Sequence, residues 1–218
     1  IRDAQESRGL GDVYKRQSHP TPAASTPTRV VAHHVALAAV LLLAVALRTW
    51  NLAGHGTGNL YYAAAARSMS AGGPALWFAS FDLAGFVSVD KPPLALWIQV
   101  LMVHVLGYGP LALHLPAVLA GLACVWLTWR LGCRAAGEWG GVLAALVVAV
   151  FPACVAVDRS NLPDSVLLLA LLAAAECLLR AVATGRLGWL LLSMVCVGAG
   201  FHAKMIAAWM ALPALLLT

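Results

Sequence analysis

Beyond residue 29 the charged residues stand almost entirely at the edges of long apolar runs, with Glu176 the one exception inside a run. The runs cover residues 30–47, 111–131, 139–157, 165–183 and 187–203, and a last one starts near Met205. Roughly 20 apolar residues cross a bilayer once, so this pattern dictates a chain that passes through a membrane several times. Composition agrees: 61% of the 218 residues are hydrophobic and 11% charged. A soluble domain carries about 45–50% and about 25%. An ordinary cytosolic globule and a disordered chain are both excluded. The spans must be helical, because backbone facing lipid has to satisfy its own hydrogen bonds. A membrane β-barrel would alternate apolar and polar residues, and these runs do not.

The formal charge of +5 does not point to nucleic acid, because the cations are scattered between apolar runs rather than gathered in a stripe. Five cysteines lie in or beside the runs without the spacing of a zinc or disulfide framework. Residues 1–17 end in Asp12-Val13-Tyr14-Lys15-Arg16-Gln17, which resembles a translated sequencing adapter, and are set aside as an artefact. Residues 18–29, rich in Pro, Ser and Thr, are expected to form a disordered cytoplasmic tail. The domain proper is then 30–218. Its expected spans lie near 30–50, 111–131, 139–157, 164–183, 187–203 and 205–218, with a loop over 51–109. The final run breaks off at Thr218, which suggests a chain truncated at its C-terminus.

The loop is where chemistry can reside. It holds Tyr62, Arg67, Asp82, Asp90 and Lys91, and four aromatic residues (Trp77, Phe78, Phe81, Phe86) argue against disorder. At its far end comes an apolar stretch, 94–106, too short for an ordinary crossing. If that stretch lies on the membrane surface with the tail inside, Lys and Arg divide five to five between the two sides. If it spans with the tail outside, the division is seven inside to three outside, which suits the positive-inside rule better. Length favours the surface helix and charge favours the span. Only the surface helix puts Arg67, Asp82, Asp90 and Lys91 on one face with Asp158, Arg159, Asn161 and Asp164, and with His202 and Lys204.

Each candidate also has a plainer explanation. In Val89-Asp90-Lys91-Pro92-Pro93-Leu94, Asp90 and the prolines could simply start a helix. Lys91 has no such reason to sit at the positive end of a helix dipole. In Asp158-Arg159-Ser160-Asn161-Leu162-Pro163-Asp164, the first two residues could pair and the last two begin the next helix. Lys204 could extend to the lipid headgroups. Arg48 beside Trp50 reads as an interfacial anchor.

These two motifs, with Tyr61-Tyr62-Ala63-Ala64-Ala65-Ala66-Arg67-Ser68-Met69 and Ser80-Phe81-Asp82, resemble the N-terminal part of a family 39-type membrane glycosyltransferase. That group is related to the protein O-mannosyltransferases and the lipid A aminoarabinose transferases. The resemblance implies an all-α, polytopic membrane bundle of the C-type glycosyltransferase kind, with a large first extracytoplasmic loop carrying interfacial helices. It favours the surface placement of 94–106. It further implies a polyprenyl-phosphate sugar donor and an inverting transfer to a lipid, glycan or protein hydroxyl. The site would face outward from a bacterial cytoplasmic membrane. Lys91 takes the role of phosphate contact, with Arg67, Arg159, Tyr62, Asn161 and Lys204 as further substrate-binding candidates. Asp90 becomes a possible ligand of a divalent metal ion. Relatives carry an acidic pair at the start of the loop, where this chain has Gly58-Asn59, so the base is sought among Asp82, Asp90, Asp158 and Asp164. The alternative is a transporter or flippase of a lipid-linked or small anionic substrate, which would want charge at mid-membrane depth and an internal repeat.

Overall fold

The computed structural model describes residues 27–217. Residues 1–26, with the adapter-like stretch and most of the expected tail, lie outside them. The first helix, α1, runs Pro27–Thr49, so it begins three residues inside the segment expected to be a tail. Then come a 3-10 turn Leu52–His55, α2 (Leu60–Met69), α3 (Gly73–Trp77) and α4 (Leu94–Leu106). The rest of the described chain is α5 (Pro110–Val150), α6 (Pro152–Asp158), α7 (Asp164–Thr184), α8 (Leu187–Lys204), a 3-10 segment Met205–Ala211 and α9 (Leu212–Leu216). The fold is all-helical. Four segments are long and apolar enough to cross a membrane: Ala32–Thr49, Pro110–Val150, Asp164–Thr184 and Leu187–Leu216.

The 41-residue α5 is not a straight rod. Ala136 and Gly137 leave helical geometry, with Gly137 at φ 73°. Gly132 and Gly141 face each other so closely that a Cβ on Gly132 would stand 2.9 Å from the Gly141 Cα. In a continuous helix those residues would be about 13 Å apart along the axis, at 1.5 Å per residue. The two limbs, 110–135 and 138–150, therefore form an antiparallel hairpin. Small residues at the contact let the backbones approach, as membrane helix pairs require. Helix α1 packs on both limbs, with Leu37, Val40 and Ala44 against Val125, Val142, Ala145 and Ala149.

The apolar stretch 139–157 is divided at Phe151, which takes an extended conformation (ψ 119°) before Pro152. Proline disfavours the helical region for the residue before it and suits the first position of the next helix. The last two runs are likewise separated by Met205, whose φ is 52°.

Helix α4 stays at one end of the bundle. Its 13 residues span about 20 Å against a hydrocarbon thickness of about 30 Å. The chain just before it is tied to α2 by Asp90 N–H donating to the Tyr61 hydroxyl at 3.1 Å. Just after it, the Tyr108 hydroxyl donates to the Ala63 carbonyl of the same helix at 3.0 Å. From its middle, Gln99 donates to the Asn161 carbonyl between α6 and α7 at 2.9 Å. Ala63, Ala66, Met69, Val89, Leu96, Val100, Val103 and Leu113 form the core of this layer. Residues 52–109 thus make a platform over one end of the helices.

Candidate active site

The platform holds together through Asn161, which is fully buried. Its side-chain carbonyl accepts the Asn59 N–H at 2.7 Å, and its amide donates to the Asn59 carbonyl at 3.0 Å. Asn59 in turn caps α2, its side-chain oxygen accepting from Tyr61 N and Tyr62 N. Gly58 precedes it at φ 69°, and a Cβ there would fall 2.6 Å from the His114 ring and 2.7 Å from Asn161 Oδ1. Only glycine suits both the backbone and the space. Where the resemblance leads one to look for an acidic pair, this chain has a glycine turn and a helix cap.

The cap and the clamp orient α2 so that Tyr62 faces three charged positions. Burial pushes its hydroxyl above the ordinary tyrosine range; Asp90 and Asp164 add to this, and Lys91 opposes it. Tyr62 therefore stays protonated and can donate. Beside it, Lys91 Nζ contacts Asp90 Oδ2 at 2.6 Å, with about a quarter of the lysine and over half of the aspartate side chain exposed. That contact holds the lysine above its usual range, so it remains a cation. Asp90 does not cap α4. The N-cap is Pro93, with no side-chain hydrogen bond, so the plain helix-start explanation does not account for the aspartate.

The third member comes from the ends of α7 and α8. Asp164 opens α7 and Lys204 closes α8, each at the helix end its charge suits. Lys204 Nζ pairs with Asp164 Oδ1, and both are about one-third exposed. Tyr62, Asp90–Lys91 and Asp164–Lys204 thus gather from four separate stretches of sequence. Below Asp164, a cavity of about 290 Å³ between α6 and α7 is lined by Cys154, Val157, Asp158, Ser165, Leu168 and Leu171 among others.

The remaining candidates lie elsewhere or are engaged. Asp158 is buried: its Oδ2 accepts from Arg48 Nε at 2.8 Å and its Oδ1 from Ser165 at 2.6 Å. Gly121 leaves the room, since a Cβ there would meet the carboxylate at 2.2 Å. Arg48 is fully buried and also donates to the Ala149 carbonyl at 2.9 Å. It is therefore no surface anchor; the neighbouring Trp50, 76% exposed, sits where an anchor belongs. Nor does Asp158 pair with Arg159. The Arg159 guanidinium instead donates to the Leu47 and Trp50 carbonyls, at 2.9 and 2.6 Å, and contacts His55. It satisfies carbonyls left over at the end of α1. Asp82 shapes a turn, accepting from Phe86 N and Val87 N at 3.2 and 2.8 Å, and these bonds hold its carboxyl below the usual range. Arg67 stacks over Tyr108 at 5.2 Å and shares with Asp82 a separate cavity of about 470 Å³. Asp90, the possible ligand of a divalent metal ion, has the Lys91 ammonium as its ion-pair partner, and no three His, Cys, Asp or Glu side chains converge among the described residues.

Arg48, Ser165, Gly121, Asn59, Gln99 and His114 all shape the site without having been picked out from sequence. Only Arg48 left a signal, as an arginine ending an apolar run.

The described residues thus form an all-helical chain with four candidate membrane spans and two lysine–aspartate pairs beside a platform at one end of the helices. The family described as dolichyl-phosphate-mannose-protein mannosyltransferase matches residues 90–218, and the chain belongs to it. Two relatives from Bacillus subtilis (strain 168), provisionally named mannosyltransferases YycA and YkcB, are 42% identical over 182 residues and 39% identical over 183. Each comparison covers 84% of this chain, but the chain spans only 27% and 26% of the relatives' length. No solved structure matches.

Proposed function

We propose that this chain contributes the donor-phosphate end of an active site that transfers a mannose-type sugar from a polyprenyl-phosphate carrier to an acceptor hydroxyl. The observation that carries this reading is the presence of two lysine–aspartate pairs, Asp90–Lys91 and Asp164–Lys204, with Asp90, Lys91 and Asp164 near enough to Tyr62 for their charges to act on its hydroxyl, in a member of this family. A lipid-linked donor keeps its phosphate at the headgroup plane, and cations at helix ends can meet it there. Charge at mid-bilayer would cost about 2.5–3.5 kcal/mol or more per group. The positive-inside rule divides the cations evenly, so the outward orientation of the site rests on the family resemblance.

The transfer is a single displacement with inversion. The acceptor O–H gives its proton to a carboxylate while its oxygen bonds the anomeric carbon. The bond from that carbon to the phosphate oxygen breaks, and polyprenyl phosphate leaves with the electron pair. Nucleophile and leaving group stand on opposite faces of the sugar, so one ion pair cannot serve both. Lys91 holds the departing phosphate, Asp164 takes the proton, and the Tyr62 hydroxyl donates to the sugar or the phosphate between them. Asp158 and Asp82, with both oxygens engaged, are not the base.

The test is release of labelled polyprenyl phosphate by the full-length protein in liposomes. Lys91→Ala should lower the rate about 10²–10³-fold, the scale of losing one preorganised charge partner. Asp164→Asn should lower it about 10²–10⁴-fold, the scale of losing a general base. Undiminished release by Lys91→Ala would remove the phosphate role. Full activity of Asp164→Asn would pass the base to Asp90.

A further inference from the structure

The end of the bundle opposite the platform carries a charge cluster that the proposed transfer does not use. Glu176 of α7 is buried, and three arginines converge on one of its oxygens. Arg130 Nη2 lies at 2.9 Å and Arg134 Nη2 at 3.0 Å, both from the first limb of α5, and Arg180 Nε lies at 2.9 Å. The other carboxylate oxygen, Oε2, is buried and meets no donor. One anion thus faces three permanent cations, and the arginine side chains are each 29–37% exposed.

Each guanidinium has five N–H donors in a fixed fork. Arg130 uses two nitrogens on Glu176, while Arg134 and Arg180 use one each. Most donors therefore point past the carboxylate. Two indoles flank the group, Trp126 with Arg130 at 5.1 Å from its ring and Trp189 with Arg180 at 4.7 Å. Tryptophan concentrates where the apolar core meets the headgroups, and stacked guanidiniums match phosphate geometry. The cluster lies within the last turns before the Ala136–Gly137 reversal and the Gly185 turn, so long arginine stems reach the membrane surface.

We infer that Arg130, Arg134 and Arg180, held in place by Glu176, form a site for the phosphate of an anionic headgroup at the membrane face opposite the platform. Glu176 acts here as a spacer. It keeps three like charges together in the absence of the ligand and leaves a surplus of two positive charges for it.

The experiment uses the full-length protein in neutral detergent, with thermal unfolding followed at rising concentrations of phosphatidylglycerol, phosphatidylcholine or inorganic phosphate. Saturable stabilisation by phosphatidylglycerol, at least tenfold more potent than by phosphatidylcholine, is expected. Arg134→Gln should weaken it at least fivefold. That variant leaves two guanidiniums on Glu176, so the carboxylate stays paired and the fold is retained. Arg67→Gln, at the other end, removes the same charge and should bind like the wild type. Stabilisation by inorganic phosphate alone, also lost in Arg134→Gln, would keep the site but make its ligand a soluble phosphate. Equal potency of the two lipids without any response to phosphate, or an unchanged response in Arg134→Gln, would overturn the inference. Because unfolding is read without turnover, failure here leaves the transfer reaction at the platform untouched.

Discussion

At the scale of single residues, the same chemical type does two different jobs depending on what surrounds it. Asp158 and Asp164 stand six positions apart and line the same cavity, yet one is locked in a buried pair with Arg48 and the other is about one-third exposed in its pair with Lys204. Removing one partner of a buried pair leaves an uncompensated charge and typically costs about 3–5 kcal/mol. Arg48→Met should therefore destabilise strongly, while Arg48→Met with Asp158→Leu should recover much of the loss. Thermal unfolding of the two variants in detergent checks this, and equal unfolding temperatures would mean that the pair is not coupled. Asp82 gives a pH prediction. Hydrogen bonds from Val87 N and Phe86 N depress its folded-state pKa below the usual 3.8. Its stabilisation of the turn is then present above that value and lost as pH falls through the depressed one. Exchange protection at the Phe86 and Val87 amides should be flat from pH 5 to 8 and collapse only in strong acid. A change centred near neutrality would implicate another group.

At the scale of elements, small residues decide how closely helices approach, and a hydrophobicity profile does not register them. Gly121 lets the first limb of α5 lie against the Asp158 carboxylate. Gly121→Ala should overpack this contact at about 1–3 kcal/mol, lowering thermal stability far more than Gly188→Ala, where a Cβ would meet nothing within 4 Å. Matching losses at both positions would argue against the close contact. The Asn59–Asn161 clamp makes a sharper demand, because it bonds two segments about a hundred residues apart. Asn161→Ala should reduce transfer by misplacing α2, with Tyr62 intact but no longer beside Lys91. The loss should appear in the turnover number more than in donor affinity.

At the scale of the whole molecule, the platform and the arginine cluster lie at opposite ends of one bundle. Single cysteines at Asp82, Gly107 and Leu162 should all react with a membrane-impermeant reagent from the same side. A cysteine at Gly137 or Gly185 should react only from the other. Protection of Gly107 while Asp82 reacts would mean that α4 crosses the membrane, and the site would come apart. How much of this was legible beforehand varies by element. The long runs forecast α1, α7 and α8, because burial in lipid demands apolar length whatever the neighbours are. The reversal in α5 falls at Ala136 and Gly137, between the runs 111–131 and 139–157, whereas the break at Phe151 was less clear, since it turns on one or two residues inside apolar sequence. The placement of α4 was ambiguous because 13 residues fit either arrangement and charge counting pulled the other way. In the structure three hydrogen bonds tie this segment to α2 and Asn161, a packing that no count of apolar length or charge could register.

What this sequence determined unaided is a helical chain with membrane-length apolar segments and its charged groups placed mostly at helix ends and in the loop between them. The motifs around Asp90–Lys91 and Asp158–Asp164 were visible as well. Those properties follow from local composition and from the cost of placing charge or unpaired backbone in hydrocarbon. Which aspartate is buried, which lysine faces which carboxylate, and which arginine closes a helix rather than meeting solvent were decided only by tertiary structure. Pairing is a matter of distance between groups far apart along the chain, and that distance exists only once the helices have packed.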